Sequence, residues 1–105
     1  MREAKKRGLQ RRGWRVGSAR ELLELSEGES VFVEIKLQLA TALRAYRKKL
    51  GMSQMELARR LGSSQSRVAK MESADASVSM DLLVRALLAL GASRRELARV
   101  LARAA

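Results

Sequence analysis

Residues 54–73, QMELARRLGSSQSRVAKMES, decide the fold. Leu57, Ala58 and Leu61 recur at helical spacing in the first half, and Val68 and Met71 do so in the second. Between them sit Gly62, Ser63 and Ser64. A helix commonly ends on a residue with positive φ, which glycine adopts without strain. Gly62 is therefore expected to stop the first helix and turn the chain into a second that begins near Ser64. Ala58 is small where the two helices must cross closely. Val68 is placed to pack back against Leu57 and Leu61.

This arrangement resembles the helix-turn-helix of the phage Cro and repressor type, the XRE family. The matching positions are Gln54, Leu57, Ala58, Leu61, Gly62, Gln65 and Val68, with Arg47 and Glu72 flanking them, and further agreement runs over residues 39–91. An ordinary helical hairpin would use Ala58 and Gly62 for close packing alone. The polar residues on the second helix and the basic charge around it count against that simpler reading. The expected fold is all-α, a five-helix Cro/phage-repressor-like helix-turn-helix domain with an N-terminal helical extension. The expected divisions are a basic arm at 1–17, the extension at 18–38 and the domain at 39–105.

The composition agrees with packed helices. The 105 residues are 47% hydrophobic but only 3% aromatic, so leucine and alanine must fill most of the interior. There is no proline. Cysteine and histidine are absent, which removes disulfides, thiol nucleophiles, the commonest general base and most metal-site designs. The acids are dispersed and have clearer roles as caps and surface pairs, so neither enzymatic activity nor a cofactor is expected. No stretch approaches a membrane span and no signal peptide is visible, which gives the expectation of a soluble cytoplasmic protein. The net charge of +11 favours polyanions, nucleic acid first.

Taken in order, the chain opens with Arg2, Lys5, Lys6, Arg7, Arg11, Arg12 and Arg15 against one acid, Glu3. This reads as an arm that follows DNA phosphates or enters a minor groove, or equally as a solvated tail. Trp14 and Val16 are expected to anchor it. Ser18–Glu21, Ser26–Glu29, Ser53–Glu56 and Ser93–Glu96 all have capping-box spacing, in which the serine side chain and the glutamate satisfy each other's backbone N–H groups. They suggest helices near 19–25, 27–50, 54–61 and 94–103. A further helix at 80–90 takes Ser79 as its cap, with Asp81 in its first turn. In 27–50, Val31, Ile35, Leu39, Leu43, Tyr46 and Leu50 form one stripe, while Phe32, Val33 and Leu37 lie on other faces. That extra apolar girth implies a second contact: the short helix at 19–25, with Leu22, Leu23 and Leu25, or a partner chain. The last helix is amphipathic through Leu97, Val100 and Leu101 among Arg94, Arg95, Arg99 and Arg103. Its stripe closes the core or pairs with a second subunit.

A helix in the major groove presents its side chains to base edges. The resemblance implies that Gln65, Ser66 and Lys70 face bases, and Arg67 and Lys70 can read a base or hold a phosphate. Gln54 opens the preceding helix, where its side chain and the free N–H groups suit a phosphate, as the matching glutamine of the family does. Ser53, Ser64 and Arg59 are further phosphate candidates, Ser53 being also a plain helix cap and Arg59, like Arg60, also a plain solvated residue. The resemblance makes Arg47 and Glu72 a structural ion pair. One such domain touches too little DNA to be selective. A homodimer on a short inverted repeat of double-stranded DNA is therefore expected, with repression as the most economical role. The chain also resembles small antitoxins of the HigA type, which repress their own operon and neutralise a RelE- or ParE-like toxin. On that alternative the toxin partner binds residues 19–35, through Leu22, Leu23, Glu24, Glu27 and Glu29.

Overall fold

The computed structural model describes the backbone of residues 18–104 and side chains from residue 27 to 103. The expectations for the basic arm, for Trp14 and Val16, and for the packing of Leu22, Leu23 and Leu25 lie outside the described residues. The chain divides into two compact units, Met1–Val31 and Phe32–Ala105. Five helices and no strand occur among the described residues: α1 (Ser18–Lys49), α2 (Gln54–Leu61), α3 (Gln65–Glu72), α4 (Met80–Ala89) and α5 (Arg94–Ala104).

The stretches expected as helices 19–25 and 27–50 are one helix of 32 residues. The Ser26–Glu29 signal does not start a helix here. A capping box marks a beginning only where the preceding backbone is not already helical. Gly28 costs about 1 kcal/mol in a helix interior, too little to break a run rich in leucine and glutamate. No proline stands near it to force a stop.

The core of the second unit is aliphatic. Leu39, Leu43, Leu57, Val68, Met71, Leu83 and Leu87 are fully buried, and the buried Ala40, Ala42, Ala58 and Ala86 let the helices approach. Full burial of each large side chain contributes about 1.5–3 kcal/mol. The expected stripe on α1 is buried only in its middle: Leu39 and Leu43 are inside, Ile35 and Tyr46 are partly covered, and its ends are open, with Val31 48% and Leu50 49% exposed. Phe32, Val33 and Leu37 are exposed as well.

Helix starts follow the serine caps. Ser53 and Ser93 form complete capping boxes with Glu56 and Glu96, and Ser79 accepts from the Leu82 N–H at 3.1 Å. Helix ends repeat one device, a backbone bond from the residue just past the turn back to the carbonyl five residues earlier. Met52, Ser63, Asp75 and Ala92 donate in this way to Arg47, Ala58, Lys70 and Leu87. Three of these turns place glycine in the left-handed region; the fourth places Ala74 there, at φ 56°.

Candidate nucleic-acid interface

The motif is assembled locally. Ser53, in extended conformation, caps α2. Gly62 takes φ 65° and ψ 38°, and its N–H donates to the Ala58 and Arg59 carbonyls. Only two residues later Ser64 caps α3, its Oγ accepting from the Arg67 N–H at 3.1 Å. Leu57 and Ala58 from α2 and Val68 and Met71 from α3 are buried, so the two short helices hold a fixed crossing against the leucines of α1 and α4. The remaining side of α3 is therefore outward. Gln65, Ser66, Arg67 and Lys70 are all exposed there, and Ser53, Ser64 and Arg59 are exposed as well. Gln54 is half-buried. Arg60 points another way and donates to the Ala89 carbonyl at 3.4 Å.

Beneath this surface Arg47 and Glu72 face each other, with side-chain exposures of 11% and 4%. The guanidinium donates to both carboxylate oxygens, the Nη2–Oε1 bond being 3.0 Å, and its third bond reaches the Met52 carbonyl at 2.8 Å. The hydrogen bond to Glu72 raises the Arg47 pKa above its usual value, against the opposing effect of burial. A guanidinium stays charged in a protein whatever its surroundings. Glu72 Oε1 also accepts from Gln54 Nε2 at 3.1 Å, and Gln54 Oε1 accepts from Gln65 Nε2 at 3.3 Å.

This chain has a direction. A carboxylate paired to arginine is an acceptor only. Gln54 must turn its NH₂ to Glu72 and its carbonyl outward, and Gln65 must answer that carbonyl with its own NH₂. One N–H and the carbonyl of Gln65 are left for whatever lies outside.

A second polar feature was not anticipated from sequence. The segment after α3 forms one wall of a hollow of about 330 Å³, lined by Ser64, Ser66, Arg67, Lys70, Ser77 and Val78. Asp75 holds the segment in shape. Its carboxylate accepts from the Ser77 N–H at 2.9 Å and the Ser77 hydroxyl at 2.6 Å, and the hydroxyl bond first, then the backbone bond, lowers its pKa. Lys36 of α1 donates to the Asp75 carbonyl at 2.9 Å, and Val78 is buried. The available signal was the polar run SADASVS at 73–79, directly following the motif.

The geometry is that of two short helices set across a tight turn, with a polar helix face turned outward. A family model described as helix-turn-helix matches residues 43–97, just over half of the chain. The chain belongs to this helix-turn-helix family, of XRE type, and is a DNA-binding regulator of transcription whose partner is double-stranded DNA. No curated protein and no solved structure matches it. None of the helices among the described residues is long and apolar enough to cross a membrane.

Proposed function

We propose that the protein is a cytoplasmic, sequence-specific repressor that binds a short inverted repeat as a homodimer, with α3 in the major groove. The observation that carries this reading is the directed chain Arg47–Glu72–Gln54–Gln65. It leaves Gln65 offering one donor and one acceptor side by side, and adenine presents the complementary N7 acceptor and N6 donor in the major groove. An amide already oriented before contact loses little freedom on binding. Ser66 then faces a neighbouring base. Arg67 and Lys70, at the rim of the hollow, take either a guanine edge or a phosphate. Gln54 with the first N–H groups of α2, together with Ser53, Ser64 and Arg59, hold the phosphate backbone. Two copies present two such helices about 34 Å apart, which is the spacing of half-sites one turn of DNA apart.

The test is binding to the protein's own upstream DNA against scrambled DNA across a salt series. The wild type is expected to select its upstream site. Gln65→Ala is expected to lose about 1–3 kcal/mol of that selectivity, and Lys70→Ala to flatten the salt dependence if it holds a phosphate. Equal binding to both DNAs, unmoved by Gln65→Ala, would refute a base-reading role.

The second reading, an autorepressing antitoxin of HigA type, uses residues 19–35. Exposed Val31, one helical turn from the exposed Glu27, favours it, since an acidic apolar surface suits a small basic toxin. Co-purification with a basic protein encoded alongside would support it. Loss of that capture in Glu27→Lys, Val31→Lys is the expected control, and unchanged capture would remove these residues from the role.

A further inference from the structure

Helix α1 carries an exposed row that the core does not use. From Val33, steps of three and four reach Leu37, Thr41, Arg44 and Lys48 on one side of the helix. All five are exposed, Val33 at 55% and Leu37 at 50%. The buried Leu39, Leu43 and Arg47 face the other way. A separate short helix does not supply the second contact that this row calls for, because residues 18–25 are the first turns of α1 itself.

The same helix is electrically divided. Its five glutamates, Glu21, Glu24, Glu27, Glu29 and Glu34, all precede Lys36. After Lys36 the exposed Arg44, Lys48 and Lys49 follow with no acid, Arg47 being buried and neutralised by Glu72, and only Arg20 breaks the pattern. Pairing two copies in parallel sets acid against acid and base against base. Pairing them antiparallel within the second unit brings Glu34 toward the basic stretch of the partner instead. The last helix offers a contrasting case: α5 exposes Leu101 at 44%, but its ionised residues are Arg94, Arg95, Arg99 and Arg103 against Glu96 alone. Self-pairing there brings like charges together.

We propose that the Val33–Leu37 face of α1 is the homodimer contact, with two copies of α1 antiparallel across a two-fold axis at Leu37. This rests on the dimeric reading given above. In this register Leu37 meets the partner's Leu37 and Val33 meets the partner's Thr41. Glu34 lies about 6 Å along the axis from the level of the partner's Arg44, within reach of that long side chain. The contact is isologous, as a two-fold dimer requires.

Because the chain has no cysteine, single introduced cysteines report the register directly. A disulfide needs Cα atoms within about 7 Å. Under mild oxidation Leu37→Cys is expected to cross-link to itself. Val33→Cys alone is not, since its two copies stand about 12 Å apart along the axis. A mixture of Val33→Cys with Thr41→Cys is expected to cross-link. Sedimentation equilibrium supplies the second readout, with circular dichroism checking that the exposed substitution leaves the fold intact. The wild type is expected to dimerise and Leu37→Glu to do so roughly tenfold more weakly or worse. A wild type that is monomeric with and without DNA would overturn the dimer reading itself. A wild-type dimer that Leu37→Glu leaves intact and Leu37→Cys does not cross-link would overturn this interface and leave the dimer standing. Equal cross-linking of Val33→Cys and Leu37→Cys would overturn the antiparallel arrangement.

Discussion

Glu72→Gln keeps the shape of the side chain and removes its charge. Arg47, 11% exposed, is then left with a buried positive charge and no counter-ion. Losing one partner of a buried pair costs about 3–5 kcal/mol. The lower end applies here, about 3 kcal/mol, because Arg47 keeps its bond to the Met52 carbonyl and the new amide can still accept one N–H. That is a large share of the roughly 5–15 kcal/mol that holds a domain folded. Removing both charges together, in Arg47→Met with Glu72→Leu, is expected to recover most of the loss, since apolar replacements of buried pairs are often neutral. Urea unfolding with an unchanged slope measures both. A cost below about 1 kcal/mol for Glu72→Gln, or a double variant no more stable than the single one, would refute the reasoning. DNA selectivity gives an independent check. The apolar double variant folds but leaves Gln54 without the carboxylate that orients it, so its upstream-site preference is expected to fall while its affinity for scrambled DNA holds.

Two further outcomes are expected. Ala74→Gly relieves a left-handed alanine at φ 56° and is expected to stabilise the protein by about 1 kcal/mol, whereas Gly62→Ala, at φ 65°, is expected to destabilise it by a similar amount; equal shifts of Tm in one direction would contradict this. The carboxyl pKa values of Glu56 and Asp75 are lowered, Glu56 chiefly by the Ser53 N–H and Asp75 chiefly by the Ser77 hydroxyl. Groups bound more tightly as anions in the folded state add stability above their ordinary pKa values, and that stability is lost as pH falls through the folded ones. Thermal stability is therefore expected to decline below the ordinary carboxylate range, and less steeply in Asp75→Asn; an identical decline in the variant would argue against Asp75 as a contributor.

What the sequence discloses depends on how local the physics is. The turn at Gly62 and the caps at Ser53, Ser79 and Ser93 are legible because each involves residues three or four apart. The Ser26–Glu29 pair has the same letters but lies inside a helix, where the surrounding residues outvote it. The position of Gln65 on an outward face is readable from periodicity. Its orientation is not, because that descends from Glu72 through Gln54, and the 11- and 18-residue separations involved carry no local signal. The Arg47–Glu72 pair, 25 residues apart, was accessible through family resemblance rather than through spacing. Ser77 is not legible, because a short polar run reads as an ordinary connection until folding sets it beside Arg67 and Lys70.

The shared amide chain also constrains how such a protein can change its target. On the proposed reading, a substitution at Gln65 alters the partner of Gln54 as well as the group shown to the base, and a substitution at Gln54 cuts Gln65 off from Glu72. The two positions are thus epistatic. A new specificity reached through Gln54 alone starts from a Gln65 that nothing orients, and one reached through Gln65 alone must still answer the Gln54 carbonyl, so the accessible evolutionary routes change both together or move recognition to Arg67 and Lys70, which stand outside the chain.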